Sequence, residues 1–250
     1  MTAVLALVPL FFLTALVYSA AGFGGGSTYV ALLLLFSLPH TVAPKIALLC
    51  NLVVVSGGVI HYVKGGWLPF RRVLPFVVGS VPAAYFGGRY PIAKETFLIL
   101  AAFSLAVAGL ALFFSGRGME ERISKRFVRE VPIGLVAGAI LGFLGGVVGI
   151  GGGIFLAPLL YFLRWGNARQ IAAASSFFIL VNSLSGLAGQ FQKSAYAYDL
   201  ATIVPLAAAV FLGGQIGSRL SVGRLPLVAI QRTTACLILF VAGRLFWTLG

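Results

Sequence analysis

Residues 20–35 read AAGFGGGSTYVALLLL, and residues 145–160 read GGVVGIGGGIFLAPLL. In each stretch three consecutive glycines interrupt an apolar run. Glycine costs a helix about 1 kcal/mol relative to alanine, so each triplet marks a break. A short helix is expected to resume beyond it, near Ser27 in the first stretch and near Ile154 in the second. Irregular backbone at membrane depth survives only where protein or a watery cavity surrounds it. The resumed helices would then turn their unpaired first-turn N–H groups and positive dipole ends inward. A helix N-terminus is a ready anion site. The competing role is close helix packing through small residues, but a matched pair of motifs favours a site. A P-loop or dinucleotide fold is excluded, because the glycines follow a membrane-length apolar segment and no GK[ST] follows them.

The surrounding composition sets the solvent. Of 250 residues, 60% are hydrophobic and 9% charged, and the mean hydropathy is +1.06. A soluble domain needs far more charge to cover its surface. The 18 Lys+Arg against 5 Asp+Glu sit in short loops between apolar runs, where the positive-inside rule and anionic headgroups want them. The basic excess therefore predicts a lipid bilayer partner and no nucleic acid. Cys50 and Cys236 lie in apolar runs without C-x-x-C spacing and read as buried free thiols. The N-terminal run resembles a secretory signal but lacks a basic n-region, and the same kind of segment recurs in mid-chain, so it is expected to remain in the mature protein.

The apolar segments run roughly 3–21, 27–38, 42–62, 69–88 and 96–115, then 131–148, 154–163, 171–189, 200–216 and 226–249. Between the two groups lies a polar stretch, residues 116–130. The chain thus divides into a first repeat (1–115), a basic cytoplasmic linker (116–130) and a second repeat (131–250). Gly22 matches Gly149 at an offset of 127 (149 − 22). Pro75 matches Pro205, Gly87 matches Gly217 and Arg89 matches Arg219, all at 130 (217 − 87). Repeats of this kind are common in secondary transporters, with the site at their junction. The predicted fold is an all-α polytopic membrane protein of two repeated halves. Each half holds a Gly-broken re-entrant or short helix pair plus three full transmembrane helices. If the first two segments form a hairpin, the halves are inverted; if they form one broken span, the halves are parallel. Inversion puts twelve loop cations inside, among them Lys64, Arg71, Arg72, Arg164 and Arg169, and leaves Lys45, Arg89, Lys94 and Lys193 outside. The parallel arrangement divides the cations nine to seven, so loop charge favours inversion.

Other polar positions are few. Asn51 and Ser56 fall in the third segment; Ser175, Ser176, Asn182, Ser183 and Ser185 fall in its counterpart, the denser cluster. Arg89, Arg219, Arg232 and Arg244 read as interfacial anchors, and His61 as an interfacial histidine. His40 and His61 lie at loop edges and no acidic residue lies deep in a span, so neither an enzyme active site nor a metal or cofactor site is expected.

The paired G-x-G-G-G motifs, the A-A-A-S-S run at Ala172 to Ser176 and the G-G-x-x-G-S-R element at Gly213 to Arg219 resemble the sulfite exporter TauE/SafE family of membrane permeases, over nearly the whole chain. The resemblance implies a multi-pass protein of the cell membrane, with a prokaryotic inner membrane as the setting. It implies a secondary transporter, an exporter of sulfite, an organosulfonate or a related small anion, with a proton or sodium ion as possible coupling ion. An anion channel using the same helix-dipole site is the alternative. Carried over by position, the implied substrate-binding residues are Gly22, Gly24, Gly25, Gly26, Ser27 and Thr28, with Gly149, Gly151, Gly152 and Gly153, joined by Ser175, Ser176 and Asn182. The first half departs from the family in KIALLCNL (45–52), where Cys50 and Asn51 stand in place of hydroxyls. Asn51 enters the expected site on that ground.

Overall fold

The structure is a computed structural model that describes residues 2–20, 22–115, 127–193 and 200–221, with isolated helical positions between 232 and 247. The described residues are all helix and connecting loop. In chain order the helices are α1 (Thr2–Ala20), α2 (Gly26–Leu35), α3 (Ala43–Lys64), α4 (Phe70–Arg89) and α5 (Lys94–Ser115), then α6 (Phe127–Val148), α7 (Gly153–Phe162), α8 (Ala168–Lys193) and α9 (Leu200–Ser221). The expected segments all appear up to residue 221, with α6 starting within the stretch read as linker. The rest of that linker, Arg224, Arg244 and most of segment 226–249 lie outside the described residues. Among the described residues α3, α6, α8 and α9 are long and apolar enough to cross a membrane. Leu13, Val78, Phe103, Val136 and Phe211 are exposed on different helices. A soluble protein does not expose so much bulky apolar surface; a bilayer covers it.

The glycine breaks decide the path of the chain. Gly25 and Gly152 cap α2 and α7 in the left-handed region, at φ 84° and 75°, which L side chains avoid at a cost of about 1–2 kcal/mol. Each break reverses the chain. In the first, Phe11 and Tyr29 stack with ring centroids 4.6 Å apart. Had α1 continued through the break as one helix, these residues would stand about 27 Å apart. The two breaks share one hydrogen-bond pattern: Phe23 N–H donates to the Tyr18 carbonyl and Ile150 N–H to that of Gly145.

Packing then interlocks the two halves of the sequence. The helix α1 packs along α9, α6 packs along α4, and α3 crosses α8 in the centre. The seams are glycine-lined. A methyl at Gly87 would strike the Phe143 carbonyl of α6, and one at Gly217 the Leu16 carbonyl of α1. These pairs carry both offsets read from the sequence, 217 − 87 = 130 and 143 − 16 = 127. Gly134, Gly138, Gly142 and Gly146 run at four-residue intervals down α6 against Pro75, Phe76, Ser80 and Ala84 of α4, the small-residue spacing that lets membrane helices touch backbone to backbone.

Two expectations need correction. Lys45 lies in the first turn of α3, buried at 1% exposure, rather than in an open loop. Cys236 is exposed, whereas Cys50 is buried as expected; both thiols are free.

Candidate functional site

The helix α2 begins at Gly26, so the N–H groups of its first residues, Gly26, Ser27 and Thr28, have no acceptor inside the helix; the first backbone bond is Tyr29 N–H to the Gly25 carbonyl, 3.0 Å. Gly26, Ser27 and Thr28 are all buried. One turn before the break, Tyr18 turns its hydroxyl onto this end of α2, 2.7 Å from Thr28 Oγ1 and 3.4 Å from Ser27 Oγ. A small cavity of about 10 Å³ sits here, roughly the room of one water molecule. It is lined by Tyr18, Phe23, Gly24 to Gly26 and Ser27 around the first break, together with Ile150, Ile154 and Ile179. No side chain of this lining carries a charge.

Asn51 ties the two breaks together. It projects from the middle of α3 and is fully buried. Its Nδ2 donates to the Ile150 carbonyl at 3.1 Å, and its amide lies against Gly24 and Gly26 on one side and Gly151 on the other. Any side chain at those glycines would displace it. Its Oδ1 has no hydrogen-bond partner, nor has Ser183 Oγ, which lies against Gly151. Buried polar atoms without partners are uncommon and costly, and these two lie beside the breaks.

The remaining expected residues take different places. Ser176 Oγ donates to the Gly22 carbonyl at 2.7 Å and holds the first break from the second half. Gly22 itself abuts Ala172, and Gly149 abuts Pro44. Gly152 packs against the Leu141 carbonyl and Phe178, and Gly153 against Ile179 and the Ser175 carbonyl. Ser175 Oγ is buried without a partner. Asn182 donates from Nδ2 to the Phe178 carbonyl of its own helix, 2.8 Å away. Sequence reasoning passed over Tyr18 and left Ser183 out of the site. The signal for Tyr18 was available: a polar-tipped aromatic one turn before a glycine break. That for Ser183 was weaker, being one hydroxyl among several on α8.

Charge gathers at the two ends. At one, Arg72 stacks on Trp165 at 4.7 Å and Arg169 on Trp67 at 4.8 Å, so the α3–α4 and α7–α8 connections grip each other reciprocally. At the other, His40 lies within electrostatic reach of Lys94 and Lys193, and Lys193 within reach of Lys45. Burial first, then the Lys193 and Lys94 charges, hold the His40 imidazole below its ordinary pKa. No cluster of metal-ligating side chains occurs among the described residues.

Comparison with known proteins adds the following. The family model described as "Sulfite exporter TauE/SafE" matches residues 7–245. The chain is 31% identical to a "Probable membrane transporter protein y4hK" of Sinorhizobium fredii, over 95% of this chain and 96% of that protein. It is 25% identical to a "Probable membrane transporter protein YunE" of Bacillus subtilis, over 86% and 87% of the two chains. A further "Probable membrane transporter protein" of Haemophilus influenzae is 29% identical over 49% of this chain. No solved structure matches the chain at a significant level.

Proposed function

The chain belongs to the sulfite exporter TauE/SafE family of membrane transporters, and from that premise we propose that it is a secondary carrier exporting a small anion, sulfite or an organosulfonate, bound where the two glycine breaks meet. The observation that carries the proposal is Asn51, a buried amide in contact with both breaks beside a small cavity at the α2 N-terminus. Small oxyanions are several times larger than that cavity. On this reading the site widens to accept its load. A pore open from end to end is a poorer fit to this geometry, which favours a carrier over a channel.

The repeats, residues 1–115 and 131–250 around a cytoplasmic linker at 116–130, are read as inverted. Three observations support this. The first break is a hairpin. Lys45, Lys94 and Lys193 gather at one end, although a parallel arrangement would separate Lys193 from the others. The Arg72–Trp165 and Arg169–Trp67 stacks join loops that a parallel arrangement would put on opposite faces.

Proteoliposome uptake tests the function. Purified protein is offered sulfite, alkanesulfonates, sulfate and short carboxylates under imposed proton or sodium gradients. Saturable flux with counterflow for one of them is expected, and the gradient that accelerates it identifies the driving ion. Single-channel currents in place of counterflow would turn the reading to a channel, and no anion flux at all would end it.

A further inference from the structure

The helices that follow the two breaks are not equally covered. At an offset of 127, Leu141, Phe155 and Pro158 match Thr14, Thr28 and Ala31 (141 − 14, 155 − 28 and 158 − 31). Thr14, Thr28 and Ala31 are buried, whereas their counterparts on α6 and α7 are only half-buried. Those counterparts line a groove of about 250 Å³ where α5, α6 and α7 meet. The rest of its lining is Phe103, Ser104 and Val107 of α5, Leu144 of α6 and Leu159 of α7. Ser104 brings the one hydroxyl, and no lining side chain carries a charge.

Chemistry, exposure and depth together say what fills this groove. An apolar cavity of about 150 Å³ stays dry and accepts benzene, because water needs several polar partners; this one is larger and offers a single hydroxyl. Left empty, it would deprive its lining of van der Waals contact on one side. Phe103 and Val107 are exposed, on the bulky apolar surface that the bilayer covers, so the groove opens to hydrocarbon. Ser104 and Val107 stand near the middle of the 22-residue α5, and Leu141 and Leu144 lie within the apolar 131–148 span of α6. At such positions fatty chains are the surrounding medium, and headgroups lie toward the helix ends. We propose that the groove is a binding site for one acyl chain of a membrane phospholipid, seated against Phe155 and Pro158 of α7. Ile154, the neighbour of Phe155, lines the small cavity at the first break, so the bound chain packs one residue away from it. Such a site requires only a bilayer around the protein, whatever the cargo.

Photolabelling tests the assignment. The full chain is reconstituted in vesicles of phosphatidylethanolamine and phosphatidylglycerol that carry a trace of a phospholipid with a photoactivatable diazirine along one acyl chain. After irradiation, mass spectrometry locates the labelled residues. Ser104 is only 6% exposed, out of reach of lipid that merely slides past, so label on Ser104 together with Leu144 and Leu159 is the expected result. Ser104→Phe fills the groove and should remove the label from Leu144 and Leu159, while Val136 and Phe211, exposed on other helices, stay labelled. Val107→Trp, at the exposed rim, should give the same loss, and it decides the matter if the Phe variant does not fold. Wild-type protein labelled at Val136 and Phe211 but not at Ser104 or Leu144 overturns the assignment. So does label at Leu144 that persists in every folded variant, or a dimer that cross-links through Val107 in place of lipid. None of these readouts involves flux, so the lipid site and the anion carrier proposed above stand or fall separately.

Discussion

At the scale of single residues, the hydroxyls and amides around the breaks act as fasteners. Ser176→Ala would strip the Gly22 carbonyl of a buried donor, at a cost of about 1–3 kcal/mol, seen as a lower midpoint of thermal unfolding in detergent. Tyr18→Phe removes the hydroxyl that holds Thr28 and Ser27. It should cost about 1 kcal/mol of stability and, in flux assays, raise KM, because the first turn of α2 loses its positioning. An unchanged KM would separate Tyr18 from the site. His40 offers a pH readout. Its pKa is depressed by burial and by Lys193 and Lys94. Its effect on stability runs in one direction. The fold is unaffected above the ordinary histidine range and weakens as pH falls below it, since the unfolded chain takes up the proton more readily. With His61→Gln leaving one imidazole, NMR titration should place His40 below 6.5, and Lys94→Ala should move it upward. The individual glycine breaks were plain in the sequence; Asn51 as the link between them was not, because only the crossing of α3 and α8 brings position 51 to residues 150 and 151.

At the scale of helices, glycine plays two opposite parts that local sequence does not distinguish. On the α4/α6 and α1/α9 seams it is the only residue that fits. Gly87→Ala or Gly217→Ala drives a methyl into a facing carbonyl, and overpacking of this kind costs about 1–3 kcal/mol. Gly58 of α3 lies in a helix interior with open space around its missing side chain, so Gly58→Ala should stabilise by about 0.5–1 kcal/mol. Unfolding midpoints of the three variants, measured side by side, check the contrast; a tolerated alanine at both seam positions would contradict the packing described here. Among the described residues up to 221, helix existence was legible from apolar run length, and boundaries moved by a few residues where polar ends, such as Lys64 or Gln190 to Lys193, stay helical. Which helix meets which was not legible. It depends on shape complementarity between stripes of small residues more than a hundred positions apart.

At the scale of the molecule, sidedness is the property to measure. In a background with Cys50 and Cys236 replaced by alanine, single cysteines at Lys64 and Arg164 should react with an impermeant thiol reagent from the same face, and one at Lys94 from the opposite face. Labelling of Arg164 from the face that exposes Lys94 would refute the inverted arrangement. Loop charge in the sequence leans toward the inverted reading, and the reciprocal Arg–Trp stacks that support it pair a cation of one half with a ring of the other and leave no trace in local pattern. The seams also constrain how such a carrier can move. Because α1 is bound to α9 and α6 to α4 through backbone in direct contact, a swing of one sequence half over the other would have to tear both junctions at once. In the carrier proposed above, the bodies that shift would be hybrids, each joining helices from before and after residues 116–130, with the hinge lines running through the chain rather than between its halves.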